Sequence, residues 1–96
     1  MKLLYDVMVC YYGCEFKQKT RRRDISDKKA MFSYIGRKFG ATYQAIADEI
    51  CLRNHTSVIH GEYLMEGLIA LYPEFYKQLN DIMDEYEFRQ WAGILV

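Results

Sequence analysis

The chain has 96 residues, the length of one domain, and 51% of them are apolar, so it can bury a core and is predicted to be ordered over most of residues 1–96. Thirteen basic and thirteen acidic side chains give a net charge of zero, which excludes a uniformly basic or acidic protein. No apolar run approaches the roughly 20 residues that span a bilayer, and the first residues lack the pattern of a signal peptide, so we expect a cytoplasmic protein with no membrane partner.

The first part of the chain is predicted to form two helices. Apolar residues at helical spacing predict the first helix over residues 3–12, with Gly13 as its stop. Residues 14–23 are polar and basic, and a short helical turn followed by a loop is predicted there. Asp24 or Ser26 is suited to cap the second helix, whose apolar positions lie on one stripe.

The middle of the chain predicts a short helix, a turn and a longer helix. Gly40 ends the second helix, and Thr42 then caps a helix over residues 43–50. A break follows around residues 51–53, and Asn54 is a good N-cap for the next helix. A short helix, a tight turn and a longer helix in this order form a candidate helix-turn-helix motif.

The C-terminal part begins with a restart at Pro73, a residue favoured at the first position of a helix. Residues 88–96 form an unusually apolar tail that permits two interpretations. The tail folds back to close the bundle, which is the commoner outcome for Trp91 and Ile94. Alternatively, Trp91, Ile94 and Leu95 contact a protein partner or a second copy, since exposed apolar patches usually bind something. No strand pattern appears anywhere, so the predicted fold class is all-α, with five to six helices.

The cysteines and histidines do not form a pattern typical of disulfide or metal chemistry. Three cysteines, Cys10, Cys14 and Cys51, are an odd number in a short chain, which is a poor disulfide framework. The two histidines, His55 and His60, do not combine with them at the spacing of known zinc sites. We therefore expect no metal site, no cofactor and, because no base-and-nucleophile arrangement accompanies Cys51, no enzyme.

Charge is distributed unevenly along the chain. One third of the sequence carries most of the basic residues: Lys17, Lys19, Arg21, Arg22, Arg23, Lys28, Lys29, Arg37 and Lys38. The last third carries most of the acidic ones: Glu62, Glu66, Glu74, Asp81, Asp84, Glu85 and Glu87. This asymmetry predicts a basic pole that faces a polyanion, although solvated helix faces and a flexible loop would give the same pattern.

Residues 53–60, Arg-Asn-His-Thr-Ser-Val-Ile-His, begin with polar and cationic side chains and turn apolar at Val58 and Ile59. Together with the Tyr-Tyr-Gly of residues 11–13, the basic loop, Ala-Met at 30–31 and Ile-Ala-Asp at 46–48, they resemble domain IV, the C-terminal DNA-binding domain, of the bacterial replication initiator DnaA. The resemblance runs from about residue 3 to residue 86.

The resemblance implies a Trp-repressor-like helix-turn-helix fold that binds double-stranded DNA in a bacterial or phage-infected cell. It assigns Arg23 to the minor groove and Asn54, His55 and Thr56 to base reading in the major groove. The remaining positions become phosphate or flanking contacts. The whole set of expected DNA-binding residues is Arg21, Arg22, Arg23, Lys29, Arg53, Asn54, His55, Thr56, Ser57 and His60.

The chemistry of these residue types agrees with the assignment. An arginine in the minor groove favours narrow A·T tracts. Thr56 offers a methyl group to thymine, and His55 can donate to a purine N7 or O6. Each histidine also has a structural alternative: His55 belongs to a helix cap, and His60 packs against the preceding helix.

Three departures from the family pattern affect these expectations. Cys51 and Leu52 replace paired glycines, so the turn is built without residues that readily adopt positive φ. Asn54 replaces an aspartate, which exchanges a pure acceptor for a donor and acceptor and favours a different base. The G-x-x-x-x-G-K-[ST] nucleotide-binding motif does not occur in the chain, so ATP-driven origin melting is not expected of it.

Two functions of different classes follow. The first is sequence-preferring DNA binding by a stand-alone regulator of transcription or accessory of DNA replication. The alternative is a protein-interaction or assembly module that kept the fold and lost specific DNA reading, as the zero net charge, the missing glycines and the apolar tail would allow. A repressor that responds to a small molecule rests on analogy with the fold alone.

Overall fold

The computed structural model describes residues 2–17, 23–50 and 55–95. These ranges contain five helices and no strand, so the predicted all-α class is confirmed. The helices are α1 (Lys2–Tyr12), α2 (Arg23–Lys38), α3 (Tyr43–Glu49), α4 (His55–Leu71) and α5 (Pro73–Leu95).

α1 begins one residue before the predicted position and ends where expected. It buries Leu4, Val7 and Met8, which recur at the spacing of one helix face. Gly13 follows with φ +76°, and its N–H donates to the carbonyl of Val9 at 2.8 Å. A residue with a Cβ is strained at such a φ, so glycine suits this helix end.

α2 begins earlier than its predicted cap. Asp24 lies in the first turn and Ser26 lies inside the helix, so neither is the N-cap and that prediction is wrong. Asp24 still favours the helix, because a carboxylate near a helix N-terminus interacts well with the macrodipole. Residues 15–17 are not helical, contrary to the short helical turn expected there, and residues 18–22 lie outside the described part.

The start of α3 confirms the predicted cap. The Thr42 hydroxyl oxygen accepts a hydrogen bond from the Ala45 N–H at 3.1 Å, which satisfies one of the free donors at a helix start. Ile46 and Ala47 are buried, and the helix ends at Glu49, one residue before the predicted end, with Ile50 as the C-cap. The predicted break at residues 51–53 and the predicted cap Asn54 lie outside the described residues.

α4 crosses α2 at close range, and this pair has the most extensive contact in the fold. A Cβ on Gly61 would lie 3.3 Å from the Ala30 Cα and 3.5 Å from the Ser33 Oγ. Ser33 is buried, and its hydroxyl donates to the Lys29 carbonyl at 2.9 Å. The small residue at 61 therefore sets how closely the two helices approach.

α5 begins at Pro73 as predicted and continues through the apolar tail as one helix. Leu79, Ile82 and Tyr86 face the core. Trp91 is 60% exposed, so the interpretation in which the tail folds back to bury Trp91 is wrong. Residues 73–95 form one uninterrupted helix, so the tail does not turn back onto the bundle.

The core lies where α2 meets the other helices, and one of its members comes from outside any helix. Phe16 is fully buried, with its ring centroid 4.8 Å from that of Tyr5 and 6.1 Å from that of Phe32. Its backbone N–H lies 3.4 Å from the Tyr5 hydroxyl, which accepts the hydrogen bond. Phe16 thereby holds the start of the basic segment against the bundle. None of the helices in the described ranges is both long and apolar enough to cross a membrane.

Candidate nucleic-acid interface

The first turn of α4 presents three polar side chains outward. His55, Thr56 and Ser57 are all exposed, whereas Val58 is fully buried. The sharp change after Ser57 is the one that the sequence predicts for a helix end directed away from the core. This turn contains no acidic residue, so nothing in it opposes the partial positive charge of a helix N-terminus.

The imidazole of His55 is held by α3. Its Nε2 lies 2.8 Å from Oε1 of Gln44, and its ring centroid lies 6.2 Å from that of Tyr43. Gln44 in turn donates from Nε2 to Oδ1 of Asp48 at 2.6 Å, one turn further along α3. His55 is the first residue of α4 and its side chain bonds to α3, so the interpretation of the ring as a helix cap gains no support. Gln44 and Tyr43 were missed by the sequence analysis.

Lys29, Ser57 and His60 meet at one groove between α2 and α4. This α2–α4 groove is lined by Ser26, Lys29, Ala30, Ser33, Ser57, His60, Gly61 and Leu64 and has a volume of about 280 Å³. His60 is exposed at its edge, so it is not the packing residue of the alternative interpretation. The groove begins within the exposed first turn of α4, at Ser57, and combines one cation with several hydroxyl groups.

Five other residues expected to contact DNA lie at the edge of the described ranges or outside them. Arg23 is the first residue of α2, which places its backbone at the start of that helix. Arg21, Arg22, Arg53 and Asn54 lie outside the described residues, as do Cys51 and Leu52 of the altered turn.

Arg37 belongs to the fold more than to a free basic surface. Its Nη1 donates to the Ala41 carbonyl at 2.8 Å, and its guanidinium carbon lies 4.2 Å from the Tyr43 ring centroid. Its Nε lies 3.9 Å from Oε2 of Glu62 on α4, although neither atom completes a hydrogen bond. One side chain thus connects the end of α2, the turn before α3 and the face of α4.

Several lysines of the basic third also contact the protein. Lys17 lies 3.3 Å from the Glu49 carboxylate and 4.3 Å from the Tyr5 ring centroid. Lys28 lies 5.2 Å from the Tyr12 ring centroid. The basic pole expected from the sequence is therefore reduced by contacts that only the fold creates.

The C-terminal part of α5 carries a surface of different chemistry. Phe88 and Trp91 are 61% and 60% exposed, and Asp84 and Glu87 are exposed beside them at helical spacing. We call these four residues the α5 acidic-aromatic face. Large aromatic side chains exposed together on one helix are unusual for a surface with no partner.

The tyrosines between α1 and α5 hold these helices together and provide no reactive group. Tyr12 donates to Gln78 at 3.0 Å, and Tyr11 donates to Asp81 at 3.2 Å. Burial raises the pKa of Tyr12 well above its ordinary value, and the electrostatic interactions with Tyr11 and Asp27 act in the same direction, so the phenol stays neutral. Within the part of the chain that the structure describes, no three His, Cys, Asp or Glu side chains are grouped as metal ligands.

The sequence matches no known protein-family model, and comparison with curated proteins finds no significant relative.

Proposed function

We propose that this protein binds double-stranded DNA by placing the first turn of α4 in the major groove. The observation that carries the proposal is the exposure of His55, Thr56 and Ser57 immediately before the buried Val58. A helix that reads base edges needs its polar first turn exposed to solvent and its following turns anchored in the core. α3 packs against α4 and supports it from one side, as the first helix of a helix-turn-helix motif does.

The α2–α4 groove supports the placement of the DNA backbone. Lys29, Ser57 and His60 line it, with Ser57 directly after the base-reading residues and His60 one turn further along α4. Phosphate contacts of this kind position a protein on the duplex and carry no sequence information themselves. Arg23 and the neighbouring Arg21 and Arg22 are proposed to enter the adjacent minor groove, where a narrow A·T tract attracts arginine.

The resemblance to DnaA domain IV suggests the role in which this binding is used. A domain that occupies initiator-like sites is suited to regulate transcription or to assist DNA replication. Arg53 and Asn54 complete the proposed base-reading segment. An asparagine at 54 would favour adenine where the family's aspartate accepts from cytosine.

The test is a fluorescence-anisotropy titration of an initiator-type duplex and a scrambled duplex at two salt concentrations. Preference for the first duplex that survives the higher salt supports sequence reading. His55→Ala and Thr56→Ala should then each lose about 1–3 kcal/mol of discrimination, and Arg23→Ala should reduce the preference for A·T flanks. Equal, weak binding of both duplexes that disappears as salt rises would contradict the proposal, because only the general charge would be in contact.

A second function is favoured by the α5 acidic-aromatic face. We propose that Phe88 and Trp91, with Ile94 and Leu95 in the following turn, contact a second copy of the chain. The exposure of both aromatic rings carries this proposal. Sedimentation equilibrium should find a dimer whose dissociation constant rises for Trp91→Ala, while DNA binding by the separated chains remains. A monomer at all concentrations would exclude it.

A further inference from the structure

The hydrogen bonds around His55 determine which of its ring nitrogens carries the proton. The Asp48 carboxylate only accepts hydrogen bonds, so the Gln44 group that lies 2.6 Å from it is the amide NH₂. The amide oxygen of Gln44 then faces His55 Nε2 at 2.8 Å. An amide oxygen also only accepts, and Nε2 must therefore be the protonated nitrogen.

Nδ1 is consequently the nitrogen that remains for an outside partner. The described residues provide no hydrogen bond to it, and the side chain as a whole is exposed. In a neutral imidazole whose Nε2 is protonated, Nδ1 is an acceptor. A His55 without this constraint would adopt either tautomer and could donate to a purine N7 or O6.

We infer that Gln44 and Asp48 are positioning residues that make His55 read an amino group, either N6 of adenine or N4 of cytosine. These are the hydrogen-bond donors that bases present in the major groove. Neither residue needs to touch the DNA for this effect, because each acts through the next: Asp48 orients Gln44, and Gln44 orients the imidazole. The inference rests on the proposed function and specifies the class of base that the α4 start recognises.

Asp48→Asn is the sharpest substitution, because it keeps the volume of the side chain and removes the requirement that Gln44 donate to it, at the cost of one negative charge. The Gln44 amide can then turn its NH₂ toward His55, and the opposite tautomer, with a proton on Nδ1, becomes accessible. Gln44→Ala removes the orienting group altogether. The double variant Gln44→Glu/Asp48→Asn keeps an acceptor opposite Nε2 and a donor at position 48, has the wild-type net charge, and should restore the wild-type tautomer. Asp84→Asn, an exposed change on α5, controls for the gain of one positive unit of net charge.

The first readout needs no DNA. ¹⁵N NMR of the imidazoles at mildly alkaline pH distinguishes the two tautomers. The chain has two histidines, so the imidazole signals that are absent from the spectrum of His55→Ala belong to His55. We expect protonated Nε2 to dominate in the wild type, in the double variant Gln44→Glu/Asp48→Asn and in Asp84→Asn. Gln44→Ala and Asp48→Asn should show a mixture. A mixture in the wild type, or no change in these two variants, would overturn the inference.

The second readout is base preference at the same pH. A panel of duplexes with single base-pair changes locates the position where His55→Ala loses discrimination. The wild type should prefer adenine or cytosine there, and Asp48→Asn should lower that preference by about three- to tenfold, the range expected for one hydrogen bond.

The two proposals fail in different ways. The inference is wrong if the wild type prefers guanine or thymine at the position that His55 reads and Asp48→Asn discriminates among the duplexes equally strongly. That result would not contradict the proposed DNA binding. A wild type with no preference for any duplex overturns the proposed function and the base reading with it, whatever the tautomer.

Discussion

Thr42 and Gly13 show how single residues determine where helices of this chain begin and end. The Thr42 hydroxyl accepts from the Ala45 N–H, and Gly13 adopts the positive φ that ends α1. Asp24 was expected to act as a cap in the same way, yet it lies inside the first turn of α2. Caps are thus recognisable as residue types, but which candidate is used depends on how the chain enters the helix.

At the residue scale we predict that Thr42→Ala destabilises the protein by about 1 kcal/mol, because the Ala45 N–H loses its acceptor at the start of a short helix. Urea unfolding followed by circular dichroism measures the change. Thr42→Ser keeps the hydroxyl and should recover most of the loss. A stability of Thr42→Ala equal to that of the wild type would mean that water replaces the cap without cost.

At the element scale, the crossing of α2 and α4 depends on the absence of a side chain at 61. A Cβ there would meet the Ala30 Cα at 3.3 Å, and a backbone atom in a long helix does not move aside as a flexible side chain would. Gly67, two turns further along α4, has no neighbour within 4 Å of such a Cβ. The same helix therefore contains one constrained and one unconstrained glycine.

This contrast gives a matched pair of predictions. Gly67→Ala should stabilise the protein by up to about 1 kcal/mol, the difference between the two residues in a helix interior. Gly61→Ala should lose that gain and be destabilising instead, because α2 and α4 must separate. Thermal unfolding of the two variants side by side tests the pair. Equal stabilisation by both would show that the helices adjust without cost.

At the scale of the whole molecule, two surfaces of the fold have different chemistry. The α2–α4 groove includes Lys29 from the basic third of the sequence, whereas the acidic-aromatic face belongs to the C-terminal part of α5. Arg37 and Lys17 are engaged in internal contacts, so the number of basic residues in the sequence overstates the charge offered to a polyanion. The proposed DNA binding therefore relies on a few directed contacts more than on general charge.

The exposed end of α5 makes a prediction that separates folding from association. Trp91→Ser should change the free energy of unfolding by no more than about 0.5 kcal/mol, since the side chain is 60% exposed. It should nevertheless weaken self-association. Leu79→Ala on the same helix removes a buried side chain and should cost about 2–5 kcal/mol. Chemical unfolding and sedimentation of both variants give the comparison, and a large loss of stability in Trp91→Ser would mean that the ring is buried in solution.

The helical class, the order of the helices and most of their bounds were predictable from the sequence, because apolar spacing, glycine stops and the proline restart act over one or two turns. The exposed, polar first turn of α4 was predictable for the same reason. The partners of His55 were not: Gln44 precedes it by eleven positions on another helix, and no local pattern pairs them.

Three further features depended on the tertiary structure: the burial of Phe16 in a polar segment, the internal contacts of Arg37, and the close approach at Gly61. Each arises where two distant segments meet. A sequence pattern states which face of an element is apolar, whereas the partner that covers that face, and the direction in which a side chain at the edge turns, follow from how the elements pack together.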